Sequence, residues 1–227
     1  MEFPGKVGAV IPAAGSGQRF GEKKQFKQLG KRPLLYTTIA PFLDCSLISE
    51  ISVAVPQEDV DKISREMQSI VGSASVTVTA GESIRQNSVR NGINALSDDC
   101  DIICIHDCAR PLVTEQLIRD TINGCKNHDG CITAMKASDT VKRADGDIIT
   151  ATLNRDHIWL AQTPQAFHRD ILLHAFENAD NNDAIGTDES ALVEMVGGKV
   201  KIIEGLADNI KITNQQDWKT LETGLID

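Results

Sequence analysis

The residues best suited to chemistry lie in Pro12-Ala13-Ala14-Gly15-Ser16-Gly17-Gln18-Arg19-Phe20, with Lys24-Gln25 just beyond. Small residues let a backbone approach a ligand, and successive N–H groups in such a turn cradle phosphate oxygens. Arg19 and Lys24 follow at once. A nucleoside triphosphate attacked at its α-phosphate builds charge on the equatorial oxygens and on the departing pyrophosphate. Two cations beside an N–H cradle stabilise that transition state. The plain alternative is a surface loop with solvated charges.

Other readings of the glycines fail on spacing. A dinucleotide fingerprint needs G-x-G-x-x-G and an acid at the end of the second strand. Here the third glycine is Gly21, and the second strand candidate ends Val55-Pro56. No G-K-[ST] follows, so a P-loop is excluded as well. Cys104, His106 and Cys108 alternate, but the six cysteines form no C-x-x-C pair and their spacings do not suit zinc. They read as reduced thiols, and no metal ligand is assigned.

Two further segments carry candidate groups. His106-Asp107-Cys108-Ala109-Arg110-Pro111 lies at the carboxyl end of a strand candidate, where open α/β sheets place ligands. Asp107 and Arg110 can serve a ligand or simply brace their loop. Gly81-Glu82-Ser83-Ile84-Arg85-Gln86-Asn87-Ser88 opens a helix whose backbone and Ser88 hydroxyl can read a base edge. A polar first helical turn explains the same pattern equally well. No His/Ser/Cys triad is apparent.

These groups need a frame to hold them. β-type runs at 7–11, 50–55, 75–79, 101–105, 131–135 and 199–203 alternate with helical periodicity at 60–70, 83–96, 112–122 and 170–179. A further helix follows Thr213-Asn214. Thr187-Asp188-Glu189-Ser190 reads as a capping box with Thr187 as N-cap. The alternation predicts an α/β fold, a mostly parallel sheet with helices on both faces. From 138 to 159 the rhythm breaks into β-runs around Asp145-Gly146, a hairpin that reads as a functional loop or an arm gripping a partner. One domain over 1–227 is expected, since no linker, repeat or low-complexity tract divides it.

Charge narrows the partners. The 227 residues carry a net charge of −9, which repels nucleic acid and anionic membranes. Yet Arg19, Lys23, Lys24, Lys27, Lys31 and Arg32 meet only Glu22 within their span, a +5 segment inside a −14 remainder. Lys27, Lys31 and Arg32 read as solvated neighbours of the first two. The N-terminus shows no secretory leader and no run approaches a membrane span, so a cytoplasmic protein is expected.

The loop Pro12–Phe20 with Lys24-Gln25 resembles the opening of the 2-C-methyl-D-erythritol 4-phosphate cytidylyltransferases, enzymes of the nonmevalonate isoprenoid pathway. Matching segments continue to Thr213. The resemblance implies a Rossmann-like three-layer sheet of the nucleotide-diphospho-sugar transferase type with a protruding β-arm. It implies transfer of CMP from CTP to methylerythritol phosphate, with Arg19 and Lys24 as catalytic residues. Pro12 to Gly17, Gly81, Glu82, Arg85, Ser88, Asp107 and Cys108 would bind the nucleotide. Asp107, Arg110, Thr140, Arg155, Thr163, Thr187 and Lys211 would bind the acceptor, with Arg155 crossing a homodimer through the arm. Taken singly, Thr187 is equally a helix cap and Lys211 one lysine among many. Mg²⁺ is expected on the CTP phosphates.

The sequence departs from the family at Lys23, where proline is usual, at Ala80 in place of glycine, and at Cys108 in place of alanine. Lys23 therefore competes with Lys24 for the catalytic place. A polyol-phosphate cytidylyltransferase acting on ribitol 5-phosphate is the alternative. Pro12-Ala13-Ala14-Gly15 and Ala109-Arg110-Pro111 favour the isoprenoid enzyme.

Overall fold

The computed structural model describes residues 5–71 and 75–224. A strand covered on both faces must send alternate side chains into two cores. β1 (Lys6–Pro12) does so: Val7, Ala9 and Ile11 enter one hydrophobic cluster and Val10 the other. β4 (Ile48–Val55), β5 (Val76–Ala80), β6 (Cys100–Ile105), β7 (Gly130–Lys136), β10 (Trp159–His168) and β11 (Val200–Glu204) join it. Their order is β11-β7-β10-β6-β1-β4-β5, parallel throughout except for β10, which runs antiparallel to both neighbours.

Helices cover the two faces. α1 (Leu34–Asp44), α2 (Val60–Val71) and α4 (Glu115–Gly124) share one core through Leu35, Ile39, Phe42, Ile63, Met67, Leu117 and Ile122. α3 (Arg85–Asn94), α5 (Arg169–Asn181) and α6 (Glu189–Met195) cover the other face through Val89, Ile93, Leu172, Phe176 and Leu192. A third cluster joins Phe20, Leu29 and Leu34 to Ile212, Trp218 and Leu221, tying the loop after β1 to α7 (Gln215–Gly224). The Phe20 and Trp218 rings meet edge to face at 5.5 Å, and Gln215 Nε2 donates to the Phe20 carbonyl at 2.7 Å. β2 (Gln28–Leu29) and β3 (Arg32–Pro33) form a short ribbon before α1. No helix among the described residues is long and apolar enough to cross a membrane.

The three-layer α/β expectation holds, with three local corrections. Residues 159–168 form the ten-residue strand β10, where no strand is expected from sequence. Pro164 within Gln162-Thr163-Pro164-Gln165 cannot donate to a ladder and obscures the strand; pairing with β7 shifts there, between Ala161 and Gln165. α1 also escapes the sequence reading, its period masked by Pro41 and the β-branched Thr37, Thr38 and Ile39. The N-cap of α6 is Asp188, whose Oδ1 accepts from the Ala191 amide at 2.9 Å, so Thr187 lies one residue outside the helix.

The hairpin is present as β8 (Val141–Asp145) and β9 (Ile148–Leu153), turning at Gly146 with φ +54°. It forms a separate two-stranded sheet, and Ile148 and Ile149 at its tip are 71 % and 62 % exposed.

Candidate active site

Strand order locates the site. From β1 the chain steps outward to β4 and β5 through α1 and α2, then crosses back through α3 to β6 on the other side of β1. Loops leaving β1 and β6 therefore diverge at their carboxyl ends, opening the crevice where such sheets bind ligands. A cavity of about 400 Å³ lies there. Pro12 to Phe20, Lys24, Glu82, Arg85, Ser88, Asp107, Cys108 and Lys211 line it.

The loop after β1 is held by its own backbone. Ala13 donates to the Ala54 carbonyl at 2.7 Å, and Phe20 and Gly21 both donate to the Gly17 carbonyl. Gly17 has φ +72°, and a Cβ there would stand 1.7 Å from the Glu22 carbonyl oxygen, so only glycine fits. At Gly15 a Cβ would meet nothing within 4 Å: the open side faces the cavity. Buried Gln25 steadies this turn by donating to the Gly15 carbonyl at 3.1 Å.

The competition between adjacent lysines resolves geometrically. Lys23 Nζ pairs with Glu58 and Asp59 at 2.6 and 2.7 Å. Lys24 turns to the cavity, where its Nζ donates to the Ile212 carbonyl at 2.5 Å. Burial, then the Arg19 charge, pushes the Lys24 ammonium below its ordinary pKa. Arg19 lines the same wall, exposed and without an ion-pair partner among the described residues. Lys27 belongs elsewhere, paired with Glu22 at 2.6 Å and lying over the Trp218 ring.

On the β5 side, Gly81 packs against the first loop: a Cβ there would approach Ala14 Cβ to 2.4 Å. Ser88 closes the turn, its hydroxyl accepting from the Glu82 amide at 2.8 Å and donating to the Glu82 carbonyl at 3.0 Å. Ala80 fits as the last residue of β5, paired with Val55.

Asp107 leaves β6 buried between cations. Its Oδ1 accepts from Arg85 Nε at 2.8 Å, and its Oδ2 faces Lys211 Nζ at 2.7 Å and Arg110 Nε at 4.0 Å. Burial opposes ionisation, but Arg85 and Lys211 outweigh it and hold the carboxyl well below its usual range. Below it runs a relay. The Asp107 amide donates to Thr163 Oγ1 at 3.0 Å, and Thr163 Oγ1 lies 3.0 Å from His106 Nδ1. His106 Nε2 is 3.0 Å from the Arg110 carbonyl, which can only accept. The proton thus sits on Nε2, and Nδ1 accepts from the Thr163 hydroxyl. Burial pushes this imidazole down to about 4. Cys108 reaches the cavity wall, but burial raises its thiol to about 12, leaving it inert as a nucleophile.

Several predicted residues stand away from the cavity wall. Arg110 is buried behind it, its Nη1 donating to the Asn209 carbonyl at 2.7 Å, and Thr163 is spent in the relay. Thr187 is exposed outside α6. Thr140 and Arg155 lie at the base of the arm, where the Arg155 guanidinium donates to the Ser138 carbonyl.

Three buried groups to which sequence reasoning gave no role support the site: Gln25, Glu189 and Asn209. Asn209 Nδ2 donates to the Thr163 carbonyl at 2.8 Å. Gln25 and Glu189 each lay in a quoted motif, the first beside Lys24 and the second beside a cap residue.

Of possible metal ligands among the described residues, Glu50, Asp99 and Cys100 come close to one another, but the Lys6 ammonium pairs with both carboxylates. At the cavity, Asp107 is held by Arg85 and Lys211, and Glu82 accepts from Asn87 and Asn91. Asp107 is thus committed to cations, whereas Glu82 is exposed and bonded to neutral amides.

The 2-C-methyl-D-erythritol 4-phosphate cytidylyltransferase family model matches residues 7–225. A cytidylyltransferase of that name from Alkaliphilus oremlandii is 37 % identical, covering 96 % of this chain and 94 % of the relative. Its namesake from Syntrophus aciditrophicus is 40 % identical over 93 % and 92 %. The crystal structure of 4-diphosphocytidyl-2C-methyl-D-erythritol synthase from Anaerococcus prevotii superposes with a TM-score of 0.87 at 31 % identity, covering 98 % of this chain and 99 % of that one. The chain belongs to the 2-C-methyl-D-erythritol 4-phosphate cytidylyltransferase family.

Proposed function

We propose that the cavity at the β1/β6 switch point performs the family reaction. CTP and 2-C-methyl-D-erythritol 4-phosphate give the CDP-linked methylerythritol and pyrophosphate. One observation carries this assignment: Arg19 and Lys24 from the first loop share one cavity with Asp107 and Lys211. The family match favours methylerythritol phosphate over ribitol 5-phosphate as acceptor.

The acceptor is a phosphate monoester with a second pKa near about 6, so its oxygen is already anionic at neutral pH. It needs no general base. Arg19 and Lys24 receive the triphosphate; Lys24, desolvated beside another cation, gains most from an arriving polyanion. Loop N–H groups from Ala14 to Gly17 face the same phosphates. Gly81, Glu82 and Ser88 position the base, and Lys211 with Asp107 holds the acceptor end. Arg110 and Thr163 act through Asp107 rather than by touching substrate.

A divalent cation, Mg²⁺ in this reading, would be held mainly by the CTP phosphates and would supply charge neutralisation there. Cations and backbone predominate on the wall, where Asp107 is tied to Arg85 and Lys211 and Glu82 is exposed, which would suit an ion carried in by its substrate. The chain acts as one catalytic domain in the cytoplasm. It pairs with a second copy through the arm, whose exposed Ile148 and Ile149 need cover. Arg155 and Thr140 then reach the partner's acceptor site.

The test is pyrophosphate release with CTP, UTP, ATP or GTP, each with methylerythritol phosphate and with ribitol 5-phosphate. Release confined to CTP with methylerythritol phosphate is expected. Release only with ribitol 5-phosphate refutes the proposal.

A further inference from the structure

Glu189 is 1 % exposed, yet nothing in the reaction above uses it. Its Oε1 accepts from Arg85 Nη1 at 2.7 Å, while Arg85 Nε reaches Asp107 at 2.8 Å. One guanidinium thus spans two buried carboxylates, and the second, Asp107, holds Lys211 at 2.7 Å. The order Glu189–Arg85–Asp107–Lys211 alternates in sign and runs from beneath the wall to its surface.

The other carboxylate oxygen, Glu189 Oε2, is buried without a hydrogen-bond partner among the described residues. Burial pushes this acid's pKa up, against the pull of Arg85. A buried carboxylate with an orphaned oxygen opposes stability, so packing alone does not account for it.

We infer that Glu189 is a positioning residue that anchors the far end of Arg85, so that Arg85 engages Asp107 through Nε alone and leaves Asp107 Oδ2 to orient Lys211 toward the acceptor phosphate. Without that anchor, guanidinium and carboxylate are free to close into a two-bond fork, which takes Oδ2 from Lys211. The effect belongs to acceptor binding, not to the nucleotide half of the cavity. This inference rests on the placement of Lys211 at the acceptor proposed above.

Glu189→Gln keeps the shape and an acceptor oxygen but removes the charge. The expected result is an acceptor KM raised about tenfold, the scale of one misplaced charge-assisted bond. The KM for CTP should stay within about twofold, and Tm within about 3 °C, because Arg85 keeps Asp107 and a desolvated charge is gone. An unchanged acceptor KM overturns the inference. So does a joint rise of both KM values with a fallen Tm, which marks a packing role.

Lys211→Ala is measured in parallel. If it raises acceptor KM while Glu189→Gln does not, the inference alone fails. If Lys211→Ala leaves acceptor KM unchanged, the placement of Lys211 fails and the inference falls with it. Should Glu189→Gln lose its near-ultraviolet dichroism, Glu189→Asp is read by the same criteria, since its shorter side chain cannot hold the far end of Arg85.

Discussion

Replacing either glycine of the first loop by alanine should have opposite signatures. At Gly17 the new Cβ would stand 1.7 Å from the Glu22 carbonyl oxygen and 2.6 Å from its carbon. Ordinary contact begins near about 3.5 Å, so the loop and the Glu22 peptide must part by about 1.5–2 Å. The φ of +72° adds about 1–2 kcal/mol for any residue with a Cβ. In a chain of this length, 1 kcal/mol moves Tm by about 2–4 °C, so Gly17→Ala should melt about 2–8 °C lower. Glu22 leads within two residues to Lys24, and misplacing a catalytic group by about 1 Å costs about 10²-fold in rate.

Gly15→Ala, by contrast, should leave Tm unchanged, because nothing in the protein meets its Cβ. If the triphosphate lies against this backbone, the methyl group obstructs it and KM for CTP rises. The assay is CTP-dependent pyrophosphate release alongside calorimetric melting. A Gly17→Ala enzyme with native Tm and turnover refutes the reasoning. So does a Gly15→Ala enzyme that melts early but binds CTP normally.

Other outcomes are equally direct. Lys24→Ala should lower kcat about 10²-fold or more, the scale of one lost transition-state contact, while Lys23→Ala keeps near-native turnover; equal losses would contradict the division of roles seen at Glu58 and Asp59. Ile148→Asp with Ile149→Asp should convert a sedimenting dimer to a monomer, and Arg155→Ala should raise acceptor KM; a dimer that survives the first change removes the arm from the interface. His106 is held neutral near a pKa of about 4, against about 6.5 unfolded. Below about pH 6.5 the unfolded chain binds a proton that the folded one refuses. Stability is therefore complete above about pH 6.5 and falls toward pH 4, by about 3 kcal/mol at the limit. Urea melts across that range should show a shallower slope for His106→Gln.

The parts of this molecule visible in its sequence are those governed by local rules. Apolar runs such as Val7 to Ile11 and Cys100 to Ile105 must be buried strands, and the Asp145-Gly146 turn marks its hairpin. Gly17 and the cations after it were legible because steric need and charge are properties of residue type. What stayed hidden depends on contacts between distant segments. β10 is obscured by Pro164 until β6 and β7 flank it, and α1 is a helix because the sheet face beneath it is apolar enough to override Pro41. Thr163 looks like a substrate ligand until His106, 57 residues away in sequence, claims its hydroxyl. Glu189 and Arg85 stand 104 residues apart, a separation at which spacing carries no information.

The edge-to-face stack of Phe20 on Trp218 has a consequence for the timing of synthesis. Chains emerge from the ribosome at about 5–20 residues per second, and amino-terminal segments form structure first. The first loop is made early, but its packing partners Ile212, Trp218 and Leu221, together with Lys211, are made after every strand of the sheet. A nascent chain can thus assemble β1, β4, β5 and β6 while the cavity between them still lacks Lys211 and Thr213. The cavity wall is completed, and its first loop pinned, only as residues 211–221 are added to the finished sheet.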